Sequence, residues 1–124
     1  MKTEPTRPLL RDYYAILSAG IDAYGDGSGL LTLLADDFRF SGPLAGEVSG
    51  GERFTRGVRG FIENASRIEF IQVVEEADGA AALYRAQLPG GEVMFAEFFE
   101  LEGDRIRAVR LHYEGPAYLA AGGR

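Results

Sequence analysis

The chain has no cysteine and a single histidine among 124 residues. Without cysteine there is no disulfide, no thiolate nucleophile and no cysteine-bound zinc, and one histidine cannot build a multi-histidine metal centre. The Asp-x-Asp-x-Asp-Gly spacing of a calcium loop is also missing, so neither metal nor other cofactor is expected. Positive charge is scarce. Thirteen basic against 19 acidic residues give a net charge of −6, with no basic stripe to meet a phosphate backbone, so nucleic acid is not an expected partner. The longest apolar run, around Leu30 to Ala35, is far too short to span a bilayer, and Met1-Lys-Thr-Glu-Pro-Thr-Arg-Pro8 lacks the apolar region of a signal peptide. The expectation is a cytoplasmic protein with no membrane partner. No Gly-x-Ser-x-Gly elbow accompanies His112, so a serine triad has no support. Gly25-Asp-Gly-Ser-Gly29 lacks the lysine of a P-loop and follows a helix, which makes it a turn.

What is present is ordinary globular material, 46% hydrophobic and 11% aromatic, enough for one core. No internal repeat or linker appears, so the chain reads as one domain over 1–124 with a core of about 9–116. The first eight residues and the Ala-Ala-Gly-Gly-Arg tail are expected to fray.

Leu10, Tyr14, Leu17, Ile21 and Tyr24 recur at helical spacing, and the glycine-rich stretch after them ends that helix. Ser28 can cap a short second helix, Leu30 to Ala35, with Asp36-Asp37 a solvated junction at its end. Phe38 and Phe40 alternate with Arg39 and Ser41 in a strand stopped by Gly42-Pro43. A loop then leads to Ser49-Gly-Gly-Glu52, which matches a capping box, and the helix it opens buries Phe54, Val58, Phe61 and Ile62. From Arg67 onward the period is two. Strands over Arg67 to Ala77, Ala80 to Leu88, Glu92 to Leu101 and Arg105 to Glu114 form an antiparallel meander through Asp78-Gly79, Gly90-Gly91 and Glu102-Gly103-Asp104. Helices first and strands later make an α+β fold with helices on one sheet face.

The segment Val93-Met-Phe-Ala-Glu-Phe-Phe-Glu-Leu101 places Val93, Phe95, Glu97, Phe99 and Leu101 on one face, with a carboxylate in an apolar row. A Gly90-Gly91 turn puts Tyr84 directly across from Glu97. A three-residue turn at Glu102-Gly-Asp104 puts Val109 across from it, flanked by Leu111 and Tyr113. A two-residue turn puts Arg110 there and mixes His112 and Glu114 into the row, so the first register is preferred. Glu97 would then sit in an apolar concavity with a raised pKa, able to donate a hydrogen bond or act as general acid or base. The competing reading is a structural acid paired with a neighbouring Arg or Tyr. His112 falls on the opposite face, at the surface or a dimer interface. Met94, Ala96 and Phe98 also lie there and need a cover, most simply a second copy of the chain.

The order of elements, with Leu34-Ala-Asp-Asp-Phe-Arg-Phe-Ser-Gly-Pro43, Phe99-Glu-Leu-Glu-Gly-Asp-Arg-Ile106 and Val109-Arg-Leu-His-Tyr-Glu-Gly-Pro116, resembles the nuclear transport factor 2-like superfamily. It is most similar to the ketosteroid isomerase-like and SnoaL-like polyketide cyclase branches. The resemblance spans nearly the whole chain and implies a cone, a strongly curved antiparallel sheet wrapped round N-terminal helices with an apolar pocket inside, and a homodimer. In ketosteroid isomerases an acid on the strand before the final hairpin helps hold the oxyanion, and Glu97 matches that position. The isomerase base precedes the proline of an Asp-Pro pair, where this chain has Gly42-Pro43. The helix-one tyrosine maps to Tyr13 if Ser18-Ala-Gly20 is the anchor, or near Ser18 counting back from Asp36-Asp37. The working aspartate that SnoaL-like cyclases and epoxide hydrolases of this fold place on the final strand falls where Leu111 stands.

The expected site therefore has Glu97 as its catalytic residue. Tyr13, Tyr14, Phe38, Phe40, Tyr84, Phe95, Phe99, Val109, Leu111 and Tyr113 form its lining around an apolar, ring-containing small molecule. If the protein is an enzyme, isomerase, cyclase or dehydratase chemistry by proton transfer is expected, with the base unassigned. The alternative is a non-catalytic ligand-binding or dimeric assembly module, which the missing base favours.

Overall fold

In the computed structural model, which describes residues 3–123, the first helix begins at a proline. Pro8 opens α1 (Pro8–Ser18), where its fixed φ suits a helix start and its missing N–H is no loss. Leu9, Leu10, Tyr13, Tyr14 and Leu17 form the buried stripe. The stripe does not run on to Tyr24 as one helix. Gly20 adopts φ +91°, a conformation only glycine takes without strain, and α2 (Ile21–Tyr24) starts on a new axis. Next comes α3 (Ser28–Leu31), whose N-cap is Gly27 rather than Ser28; the Ser28 amide donates to Asp26 instead, at 3.0 Å. The sequence expectation of helix to Ala35 fails because β1 (Leu34–Gly42) already starts there, carrying Asp36 and Asp37 as exposed strand residues.

The expected loop after Gly42 is a hairpin: β2 (Gly46–Ser49) turns back on β1 and pairs Ser49 with Arg39. That pairing removes the capping box, since Ser49 ends a strand and Gly50 is the N-cap of α4 (Gly51–Gly57), with no side-chain cap. The long helix expected here divides at Val58 into α4 and α5 (Arg59–Asn64), and Phe54, Phe61 and Ile62 are buried as the spacing required. The meander follows: β3 (Arg67–Glu75), β4 (Gly79–Leu88), β5 (Gly91–Glu102) and β6 (Arg105–His112). The sheet is curved and unclosed, in the order β2-β1-β6-β5-β4-β3. Every pair is antiparallel except β1 with β6, which is parallel.

Both expected registers shift, each by an amount that keeps the faces. The β4–β5 turn is Pro89-Gly90, with Leu88 opposite Gly91, so Tyr84 lies across from Phe95 and Glu97 across from Ala82. At the last hairpin Glu102 pairs with Arg105 across a two-residue turn, which alone would point Arg110 and His112 inward. A β-bulge at Arg107 corrects this: Leu101 pairs with Ile106, but Glu100 pairs with Ala108 and Glu97 with Leu111. One extra residue restores the apolar face, because burying Ile106 and Val109, both at 0% exposure, outweighs an unbroken ladder.

Both ends of the chain are tied down where fraying was expected. Arg7 donates to the carbonyls of Glu76, Ala77 and Gly103 at 3.1, 2.7 and 2.9 Å, bridging two hairpin turns. The Thr6 amide and hydroxyl donate to the Glu75 carboxylate. A final helix, α6 (Gly115–Ala120), docks Tyr118 into the core, and the Gly90 amide donates to the Ala121 carbonyl at 2.8 Å. Met1, Lys2 and Arg124, in the expected frayed ends, lie outside the described residues. Among the described residues no helix is long and apolar enough to cross a membrane.

Phe38 is 1% exposed and packs on Phe54 at 4.9 Å, while Phe40 on the same strand is half-buried. Phe38→Ala should lower unfolding stability by about 3–5 kcal/mol, and Phe40→Ala by clearly less, as read from the midpoints of denaturant titrations. Equal losses would contradict the assignment of Phe38 to the core.

Candidate functional site

Glu97 lies in the middle of β5 and is buried, the residue being 2% exposed. Two elements supply its partners. From α1 the Tyr13 hydroxyl donates to Oε2 at 2.7 Å and the Tyr14 hydroxyl to Oε1 at 2.6 Å. From β4 the Tyr84 hydroxyl donates to Oε1 at 3.2 Å. Tyr84 reaches the acid although it stands opposite Phe95, because diagonal neighbours on one face of a sheet remain within range of a tyrosine. The rings hold each other edge to face, Tyr13 on Tyr14 at 5.0 Å and Tyr14 on Tyr84 at 5.5 Å.

Burial pushes the Glu97 carboxyl above its ordinary value near 4.5, and the three phenol hydrogen bonds only partly offset this by favouring the ionised form. Burial, with the neighbouring carboxylate, holds Tyr13, Tyr14 and Tyr84 well above the usual phenol value of 10, so they are neutral donors. A carboxylate offers about four acceptor positions, two per oxygen. Oε1 takes two phenols and Oε2 takes one, which leaves one acceptor position on Oε2 for a ligand.

In front of this group lies a cavity of about 310 Å³. Its wall includes seven of the residues expected from sequence: Tyr13, Phe40, Tyr84, Phe95, Glu97, Leu111 and Tyr113. The other four lie behind it. Phe38, Phe99 and Val109 are core residues, and Tyr14 supports Glu97 without lining the space. The sequence reading missed Leu17, Leu44, Ala45, Val48, Arg53, Phe54, Gly57, Val58, Phe61 and Tyr118. Leu17, Phe54, Val58 and Phe61 were visible as apolar helix positions but read as core. Leu44, Ala45 and Val48 belong to the unforeseen hairpin, and Tyr118 to the tail.

Among the described residues Glu97 is the only carboxylate on the wall, and no histidine joins it. His112 is exposed on the outer face, edge-on to Phe98 at 5.8 Å. Gly42-Pro43 brings no acid to the site. Among the described residues no group of three or more acidic or histidine side chains converges, so none offers a donor set for a metal. The arrangement can hydrogen-bond an oxygen-bearing ligand end and can exchange one proton at Glu97.

The raised Glu97 value fixes a sign. The folded chain keeps the proton at pH values where the unfolded chain has lost it. Glu97 thus supports folding below about pH 4.5, and that support is lost as pH rises through the folded value. Wild-type stability relative to Glu97→Gln should therefore decline as pH rises from 4.5, in paired denaturant titrations across the acid range. A difference that grows with pH would mean the carboxyl is depressed instead.

The family model described as the SnoaL-like domain matches residues 10–109. No curated protein matches the sequence. Among solved structures, an NTF2-like protein from Cytophaga hutchinsonii is 19% identical with a TM-score of 0.71, over 96% of this chain and 99% of that one. A proposed ketosteroid isomerase from Kribbella flavida is 19% identical with a TM-score of 0.71, over 88% and 77%. A protein with a ketosteroid isomerase-like fold from Catenulispora acidiphila, in complex with trimethylamine, is 18% identical with a TM-score of 0.72, over 94% and 93%. At such identities these structures show a shared fold, that of nuclear transport factor 2-like proteins, and the family match establishes that this chain belongs to the SnoaL-like domain family.

Proposed function

We propose that the cavity receives an apolar, ring-containing metabolite, and that Glu97 moves a proton on it in an isomerase-type reaction. The observation that supports this is a single carboxyl group, 2% exposed, in a largely apolar wall and surrounded by neutral phenols. Burial disfavours the charged form and so raises the carboxylate's affinity for a proton, which makes it a stronger base than an exposed carboxylate. In the reaction the Glu97 carboxylate takes a proton from a carbon next to a ring carbonyl. The C–H electron pair forms a C=C bond to the carbonyl carbon, whose oxygen becomes a dienolate oxygen that accepts a phenol hydrogen bond, and the carboxylic acid returns the proton to the far carbon of a C=C bond adjoining the reacting carbon, restoring the carbonyl. Tyr84, whose bond to Glu97 is the longest of the three at 3.2 Å, is the phenol most easily redirected to that oxygen. The Kribbella flavida structure, named as a proposed ketosteroid isomerase, supports this class.

A non-catalytic binding role is favoured by a different observation. Among the described residues no second carboxylate or histidine lines the cavity, so among them a proton would leave and return through one group. The two readings separate on a panel of steroid-like and polyketide-like ring ketones, since a ligand that prefers the native state raises the thermal midpoint. For compounds that bind, exchange of the α-carbon proton with D2O is followed by NMR. Catalysis predicts exchange with the wild type and its loss in Glu97→Gln, with binding retained within about threefold, or under ~1 kcal/mol. Binding without exchange would leave the non-catalytic role, and no binding would remove the ligand cavity.

A second copy of the chain is the proposed cover for the outer sheet face. Val74, Met94 and Phe98 are 48%, 48% and 46% exposed there, an apolar strip through Ala81, Leu83 and Ala96. It is flanked by the Arg85–Glu69 and Arg110–Glu100 pairs, which offer both signs of charge to a two-fold mate. In sedimentation velocity the wild type should run as a dimer and Phe98→Asp as a monomer; a monomeric wild type overturns this arrangement.

A further inference from the structure

The cavity wall has a polarity along its depth. Tyr13, Tyr84, Phe95 and Glu97 are all at 2% exposure or less. Leu44, Ala45, Arg53 and Gly57, on the same wall, are exposed. The mouth is therefore framed by the β1–β2 turn and the outer side of α4, and the floor by α1, β4 and β5. Among the described residues Arg53 is the only cationic side chain on the wall. It has no hydrogen bond or ion pair with any other described residue. Arg59, in the next helix, is by contrast engaged, lying over the Tyr24 ring at 5.8 Å.

We infer that the ligand carries an anionic group, a carboxylate, at the end opposite its Glu97-facing oxygen, and that Arg53 receives it at the mouth. This rests on the ligand-cavity reading above and adds the ligand's charge and orientation. A guanidinium fork matches a carboxylate in shape and can bind it through two parallel hydrogen bonds. The floor is the poorer place for that anion, because a buried, largely apolar space beside an acidic side chain offers it no cation. With a net charge of −6 the protein as a whole repels anions, so an anionic ligand depends on this one local cation.

Three probes of one ring size test the inference by calorimetry: 6-hydroxy-2-naphthoate, its carboxamide, and 2-naphthol, which has no anion and reports on the floor alone. The wild type should bind the carboxylate about fivefold more tightly than the amide, the scale of an exposed ion pair. Added salt should shrink that preference. In Arg53→Gln the preference should vanish, and in Arg53→Glu the amide should bind better than the carboxylate. Equal affinities for carboxylate and amide in the wild type, or a preference that survives Arg53→Gln, would overturn the inference while 2-naphthol binding keeps the cavity reading intact. If none of the three binds, the cavity reading falls and the inference falls with it.

Discussion

A carboxylate that folding removes from water has to be neutralised or hydrogen-bonded, and Glu97 meets that demand with phenols alone. Tyr13 and Tyr14 are adjacent on α1, and adjacent helical positions point in different directions. Both nevertheless reach the same acid, one to each oxygen, which is possible only if the carboxyl group lies beneath the helix between the two side chains. The rotation and seating of α1 on the sheet are thus set by one side chain of β5. The three phenol bonds satisfy a side chain that burial would otherwise leave unpaired, so the polar cluster helps to define the cone as well as the site.

The sheet accommodates this centre through its irregularities. The bulge between the β5 and β6 registers returns Val109 and Leu111 to the inner face. A second shift, between Phe70 and Gln72 on β3, bends the sheet's other flank. Bulges increase local twist and bend the strand that carries them, so the devices that keep apolar residues inside also curve the sheet over α1. The cavity is the space that this curvature leaves between the sheet, α1, α4 and α5, with α6 contributing Tyr118 to its wall and the β1–β2 turn framing its mouth.

The resulting wall is chemically asymmetric. Its floor combines an acid with neutral donors, its middle is aromatic, and Arg53, the one cation among the described wall residues, stands at the rim. Proteins of this fold share the cone, but the chemistry of each depends on which side chains reach the interior. Here the position before Pro43 holds glycine and the final strand presents Leu111, so neither the isomerase base nor the cyclase aspartate is supplied from those places. What remains is a single titratable centre.

Several features were legible in the chain itself. Strict alternation from Arg67 onward gave the meander, and the period-two row around Glu97 revealed an acid on the core face before any pairing was known. The helical spacing of Leu10, Tyr14 and Leu17 marked the helix that covers it. Periodicity reports which way side chains point, and a register error of two residues leaves that unchanged, which is why the face of Glu97 was right although its cross-strand neighbours were not. Only the tertiary structure decided that Tyr13 joins Tyr14 on the acid, that Phe38, Phe99 and Val109 stay behind the wall, and that Leu44, Arg53 and Tyr118 come to it. Those outcomes depend on where a short hairpin and a terminal helix dock. Docking is governed by contacts between segments far apart in the chain, and local sequence patterns do not encode them.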